Sequence, residues 1–256
     1  VLILMAIVNI GAALIEPLQE TYLFKIIKKK DEERFFGVYN TADPLANIIG
    51  PLIASVFVLF WGLFLGYFVG MARTKLMIPT FITTLALWSA LRGYSLFITE
   101  GRPIAISNKP FRYFFGGDVL GLPTVTWIML IVFLIFWFIS KYTVLGTNIY
   151  AVGGNPKAAR SIGLNVDRIK IITLMTTGLF SALVGILFVA RVSSGNSTVG
   201  EGMEFDVIAA VVVGGTALGG AIGTMTGTLL GVLFIAMISN GLIHWGIDPD
   251  LNKVVK

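Results

Sequence analysis

Long apolar runs constrain this chain more than any other feature of its sequence. A helix that crosses a bilayer needs about 20 mostly apolar residues, and lipid offers an open segment no other way to satisfy its backbone. The runs lack the alternation of polar and apolar residues that is typical of membrane barrel strands. They cover residues 1–15, 45–71, 78–98, 119–140, 169–190, 207–213 and 224–243.

The composition supports a membrane protein. Of the 256 residues, 56% are hydrophobic and 13% are charged, whereas about 25% are charged in an average soluble domain. The mean hydropathy is +0.87. A soluble chain of this length could not hide so much apolar surface, so the excess faces lipid or other membrane helices. The sequence therefore predicts an all-α, polytopic transmembrane helical bundle of about six to eight helical segments.

The formal net charge of +5 reflects Lys and Arg residues in the short loops between the runs. This pattern follows the positive-inside rule and gives no reason to expect nucleic-acid binding. The turn with Arg73 and the basic loop that ends at Lys170 are predicted to be cytoplasmic. The mixed loop that holds Asp118 and the segment 192–206 are then predicted to lie outside.

The front of the chain does not fit this topology. Residues 25–34 carry five basic and three acidic side chains and also look cytoplasmic. Only the run 45–71 separates them from Arg73, and that run suffices for one span but not for two. Either one of the loops departs from the positive-inside rule, or the run 45–71 enters and leaves the membrane on the same side, or the front of the chain did not originally precede the rest.

The residue types argue against catalysis. The chain has no cysteine and a single histidine, His244, which leaves almost no material for thiolate or histidine metal sites or for a Ser-His-Asp triad. The glycine-rich stretch "GGTALGGAIGTMTG" lacks the Gly-Lys-Ser/Thr ending of a phosphate loop. We therefore expect no enzyme activity, no catalytic residues, no metal and no cofactor in this chain, and any ATP-driven motor would be a separate protein.

A short capped helix is predicted in the basic loop. Asn155 suits an N-cap, Pro156 suits the first helical position, and Gly163 can end the helix, so residues 156–162 should form about two turns. The helix could receive force from a cytoplasmic partner, or it could be an ordinary structured loop. Its small and charged residues, which would form a docking surface, are Lys157, Ala158, Ala159 and Arg160.

Five glycines recur at every fourth position near the end of the chain. On a helix this spacing places them on one face, where another backbone can approach closely. Glycines that interrupt an apolar run can also mark a broken membrane helix beside a substrate path. Tight packing and a translocation path both remain open for Gly215, Gly219, Gly223, Gly227 and Gly231.

The segment 193–206 is rich in hydroxyl and acidic groups. Such residues can contact a sugar or a sugar-binding protein, but a solvated loop has the same composition. Glu204 and Asp206 could equally stabilise the start of a helix, because carboxylates favour the positive helix N-terminus. The candidate contact residues are Asn196, Glu201, Glu204 and Asp206.

Three long stretches carry a family resemblance. They are "ARTKLMIPTFITTLALWSALRGYSLFITEGRPI", "GGNPKAARSIGLNVDRIKI" and "GEGMEFDVIAAVVVGGTALGGAIGTMTGTLLG", which begin at residues 72, 153 and 200. In this order and spacing they resemble monosaccharide ABC importer permeases of the ribose, xylose and galactose type. The resemblance covers residues 61–256 and implies a chain that lacks the family's last helix.

The resemblance implies a function and partners. A permease of this kind moves a monosaccharide through the bacterial inner membrane by alternating access. It works with an ABC ATPase subunit that binds ATP, a sugar-binding protein and a second permease copy. The loop helix would be the coupling helix that docks on the ATPase, a role carried onto Asn155, Pro156, Ala158, Ala159, Arg160 and Gly163.

Residues 1–60 resemble something else. The stretch "EPLQETYLFKIIKKKDEERFFGVYNTADPLANIIGPL" is similar to part of a major facilitator transporter, which suggests a fusion near residue 60. The alternative function is therefore a secondary transporter driven by an ion gradient. That reading needs an ionisable residue deep in a span, and the nearest candidate, Arg92, lies toward the end of its run. A non-transporting receptor or assembly subunit is a third possibility.

Overall fold

The computed structural model describes residues 32–106 and 108–244, and these residues are mostly helical. The helices are α1 (Glu32–Lys75), α2 (Thr80–Thr99), α3 (Lys109–Gly116), α4 (Thr124–Tyr142), α5 (Val144–Gly154), α6 (Pro156–Ser161), α7 (Val166–Val192), α8 (Met203–Val213) and α9 (Met225–His244). The strands are β1 (Ile104–Ala105), β2 (Asp118–Val119), β3 (Leu122–Pro123) and β4 (Ser194–Gly195). β1 pairs with β4 and β2 pairs with β3, both antiparallel.

Five described helices are long and apolar enough to cross a membrane, which confirms the predicted all-α membrane fold. None of the residues in the apolar windows of α2 and α4 is buried within the chain, so these surfaces face lipid or other proteins. The run 119–140 becomes helical only at Thr124, because Val119 belongs to the β2–β3 hairpin. The run 1–15 lies outside the described residues. The candidate spans are Ile49–Lys75, Thr80–Thr99, Thr124–Tyr142, Val166–Val192 and Met225–Leu242.

The chain divides into two compact units. The first comprises Val1–Thr126 and Ile171–Ser197, and the second comprises Trp127–Lys170 and Thr198–Lys256, each with respect to its described residues. The predicted boundary between residues 60 and 61 falls within the continuous helix α1. The origin of residues 1–60 stays a prediction, and residues 1–31 lie outside the described part.

Glycines let α1 and α7 approach closely in the first unit. A Cβ on Gly62 would lie 2.6 Å from the Ala182 Cβ, and one on Gly66 would lie 2.7 Å from the Met175 Cα. Such backbone contact is typical of membrane helices with small residues at their interface. As the residue number rises along α1, the number of the contacting residue in α7 falls, so the two helices are antiparallel.

The far ends of α1 and α7 carry different structures. Gly70 approaches Ile171 of α7, five residues into that helix, so the Arg73 end of α1 lies near Ile171. The other end of α7 meets α3, where a Cβ on Gly116 would lie 2.8 Å from the Ala190 carbonyl oxygen. Next to this end lies a buried cluster, which consists of Val58, Ile106, Phe111, Ile186 and Ala190.

This arrangement agrees with the predicted topology and makes it testable. We expect single cysteines in place of Arg73 and Lys170 to be shielded from an impermeant thiol reagent in intact cells, because both residues belong to basic segments that are predicted to be cytoplasmic. A cysteine in place of Asp118, close to the opposite end, should be labelled. The natural chain has no cysteine, so it serves as the blank. Labelling at position 170 in intact cells would reverse the orientation.

Candidate docking helix and glycine-rich connector

α6, hereafter the docking helix, begins as its sequence predicts. The Asn155 side-chain oxygen accepts hydrogen bonds from the backbone N–H groups of Lys157 and Ala158, both at 3.1 Å. The helix ends at Ser161, one residue earlier than predicted. Gly163 then adopts a φ of +86° and its N–H donates to the Arg160 carbonyl oxygen at 3.1 Å, a left-handed ending that glycine allows without strain.

Ala159 has a different position from the one expected. It is only 3% exposed and packs with Val152 of α5 and Val166 of α7. Leu164 and Ile169 cover this cluster, and the Leu164 N–H donates to the Ala159 carbonyl oxygen at 3.1 Å. Ala159 therefore anchors the docking helix to its own chain and does not belong to the surface that a partner could reach.

The opposite side of the docking helix is exposed. Ala158 is exposed, and Ile162, just after the last helical residue, is 75% exposed. Arg160, one of the predicted docking residues, donates within the chain to Asp167 at 2.9 Å. Both side chains are more than half exposed, and such a pair contributes only about 0–1 kcal/mol, so a partner's carboxylate could replace Asp167 at little cost.

The structure corrects the expectation that the five spaced glycines share one helix face. α8 ends at Val213 and α9 begins at Met225. Gly215, Gly219 and Gly223 lie in the non-helical segment between them, residues 214–224, hereafter the connector. Only Gly227 and Gly231 lie on a helix, so a non-helical break interrupts the glycine series. A role of these glycines in a translocation path stays a prediction.

The two glycines of the series that lie on α9 serve close packing against the end of α8 and the start of the connector. A Cβ on Gly231 would overlap the Ala210 carbonyl oxygen, and one on Gly227 would overlap the Gly214 carbonyl oxygen. α8 and α9 thus form a tight hairpin in which side chains larger than hydrogen have no room. At 11 residues, α8 is about 16 Å long, about half of the hydrocarbon thickness.

The connector bends back on itself. The Ala217 N–H donates to the Ile222 carbonyl oxygen at 2.9 Å, and the Gly220 N–H donates to the Ala217 carbonyl oxygen at 3.0 Å. Gly215, Gly220 and Ala221 all have positive φ angles. Such a backbone favours glycine, and Ala221 adopts it at some cost in strain.

Tyr150 of α5 holds the connector, a role that sequence reasoning missed. Its hydroxyl donates to the Gly223 carbonyl oxygen at 2.9 Å and lies 3.1 Å from the Ser140 hydroxyl. The last turn of α5 also contacts the connector, since a Cβ on Gly153 would lie 3.1 Å from the Ala221 nitrogen. Residues 150 and 223 are far apart in sequence, and no local pattern relates them.

The candidate outer contacts occupy different local settings. Glu204 and Asp206 lie in the first turn of α8, as the helix-start alternative predicts. Glu201 is exposed two residues before that helix, in the second unit, and Asn196 is half-buried after β4, in the first unit. A contact of these four residues with a sugar or a binding protein stays a prediction.

A hydroxyl cluster near β4 is a further feature that the sequence did not reveal. The Ser197 hydroxyl lies 2.9 Å from the Ser95 hydroxyl and 3.2 Å from that of Thr99, which is buried. Thr99 also donates to the Ser95 carbonyl oxygen at 2.9 Å. These bonds, together with the β1–β4 pair, fasten the segment after α7 to the end of α2 in the first unit.

Comparison with known proteins gives a consistent answer. Residues 2–256 match the family model for the permease component of branched-chain amino acid transport systems. The chain is 48% identical to the probable ABC transporter permease protein YphD of Escherichia coli over 70% of this chain and 54% of YphD. It is 42% identical to the ribose import permease RbsC of E. coli over 84% of this chain and 70% of RbsC.

More distant relatives agree. Identity is 34% to the L-arabinose transport system permease protein AraH of E. coli, over 73% of this chain and 57% of AraH. No solved structure shows significant similarity. These relatives confirm the resemblance to ABC sugar permeases that the three motifs carry. The family match also includes the front of the chain. The chain as a whole spans about half of the length of YphD.

Proposed function

This chain belongs to the family of permease components of branched-chain amino acid transport systems, and we propose that it is the membrane-spanning subunit of an ATP-driven monosaccharide importer. The observation that carries this proposal is the docking helix. It is capped at both ends, buried on one side through Ala159 and exposed on the other side in a basic loop. The similar proteins are named for import or transport of ribose and arabinose, which indicates a monosaccharide as the cargo.

The geometry suits the transmission of force. An isolated helix of six residues would not be stable in water, so its shape depends on the cluster with Val152 and Val166. A helix fixed in this way moves together with α5 and the start of α7. A push or pull on its exposed side would therefore reach the membrane-spanning helices instead of being lost in a flexible loop.

The proposal includes the partners. An ABC ATPase subunit would bind ATP and contact the docking helix, a second permease copy would complete the path, and a sugar-binding protein would deliver the cargo outside. The assembly would lie in the bacterial inner membrane, with this chain as a multi-pass subunit. This chain would carry no cofactor and perform no covalent chemistry. The major facilitator alternative has no comparable observation in its favour.

Assembly with an ATPase tests the proposal directly. The permease, expressed with the ABC ATPase subunit of a monosaccharide importer, should co-purify with that subunit, and monosaccharide with its binding protein should stimulate ATP hydrolysis several-fold. A membrane receptor or an ion-driven transporter would do neither. Sugar uptake into vesicles that persists without ATP and follows an ion gradient would overturn the proposal.

A further inference from the structure

One backbone carbonyl group of the connector, that of Gly223, accepts a hydrogen bond from a side chain. Gly223 precedes α9, and its carbonyl oxygen accepts the Tyr150 hydroxyl at 2.9 Å. A backbone carbonyl that is shielded from water needs such a partner, because leaving it unpaired costs about as much as a lost hydrogen bond. Loss of the hydroxyl would leave a half-buried acceptor without this bond, and an unmade bond of this kind is costly.

A second contact joins the same two segments. A Cβ on Gly220 would lie 2.6 Å from the Gly153 carbonyl oxygen, and a Cβ on Gly154 would lie 3.3 Å from that of Ala221. The bend of the connector therefore rests on the backbone of the last turn of α5. This close approach needs glycine both in α5 and in the connector. Tyr150, one helical turn before Gly154 in α5, adds a hydrogen bond to the connector.

The docking helix is attached to that same turn of α5. Val152 packs against Ala159, and the Asn155 N–H donates to the Ala151 carbonyl oxygen at 3.2 Å while its side chain caps the docking helix. Residues 150–155 thus contact both the connector and the docking helix. Both attachments lie within the second unit.

We propose that Tyr150 is a positioning residue for transport, which makes the connector follow the docking helix as one body. The inference rests on the proposed function for the source of motion. When the ATPase shifts the docking helix, the bond from Tyr150 to Gly223 carries the shift to the break between α8 and α9. Without it the docking helix still moves, but the connector lags behind.

The first test is Tyr150→Phe in the assembled transporter. ATP hydrolysis should continue, whereas sugar uptake per ATP hydrolysed falls about fivefold to tenfold, in line with the loss of one hydrogen bond. The half-saturating sugar concentration and the yield of complex should not change. Ser140→Ala is the matched control, because it removes the other neighbour of the Tyr150 hydroxyl and leaves the bond to Gly223 intact. Normal coupling in Tyr150→Phe would overturn the proposal.

A covalent link should rescue the defect. Gly154→Cys with Ala221→Cys places the two Cβ atoms close to the spacing of a disulfide, in a chain that has no other cysteine. In the Tyr150→Phe background the oxidised pair should restore uptake per ATP, and reduction should remove it again. Arrested transport in the oxidised pair would mean that the two segments must separate, which contradicts movement as one body.

Hydrogen exchange separates this inference from the proposed function. In the permease alone, Tyr150→Phe should speed amide exchange in residues 214–224 severalfold, and Ser140→Ala should not. If no ATPase assembles with the wild-type protein, the proposed function fails. Unchanged exchange in Tyr150→Phe would instead show that Tyr150 does not hold the connector.

Discussion

Tryptophan in place of Ala158 is expected to abolish sugar-stimulated ATP hydrolysis while the permease still inserts in normal amounts. Ala158 is exposed on the docking helix, and a large ring there would keep a partner's groove from closing around the helix. The helix itself should survive, since its caps and its buried side are untouched. The measurements are ATPase activity, subunit co-purification and permease yield.

Ala159→Trp is the informative comparison, because it places the same ring one residue further along. Ala159 is buried among Val152, Val166, Leu164 and Ile169, so the ring cannot fit without displacing α5 or α7. Overpacking of this kind costs about 1–3 kcal/mol or more, and we expect a lower yield of folded permease. If Ala158→Trp leaves assembly and stimulation intact, the docking role is wrong.

Local signals explain what the sequence predicted well. The five spans follow from runs of about 20 apolar residues, which lipid allows to be only helices. The start of the docking helix follows from Asn155 and Pro156, whose effects depend on their immediate neighbours. The burial of Ala159 could not be predicted in the same way, because it depends on how α5 and α7 pack around it.

The glycine series shows why spacing alone misleads. Glycines at every fourth position fit one face of a helix, but they do not require a helix. The adjacent pairs Gly214-Gly215 and Gly219-Gly220 were a turn signal that could have revealed the break. Tyr150 had no such signal, since its partner at Gly223 comes near only through the fold.

Leucine in place of Gly178 is expected to be among the most destabilising single changes in the membrane part of the chain. A Cβ at this position would overlap the Gly62 carbonyl oxygen and lie 3.1 Å from both the Gly66 nitrogen and the Gly66 Cα. These are backbone atoms of α1, which cannot move aside as a flexible side chain would. The two helices would have to separate, with loss of their packing over several turns.

Gly185→Leu on the same helix is the matched control. Nothing lies within 4 Å of a Cβ at Gly185, so the leucine would face lipid or another protein. Leucine also has a higher helix propensity than glycine, by about 0.5–1 kcal/mol, which would offset a small loss of stability. We expect Gly178→Leu to cost about 3 kcal/mol or more, seen as a lower thermal midpoint and a smaller monodisperse fraction in detergent. Gly185→Leu should change neither measurement appreciably. Equal stability of the two variants would show that α1 and α7 do not pack through Gly178, and the antiparallel pairing that supports the predicted topology would lose its main contact.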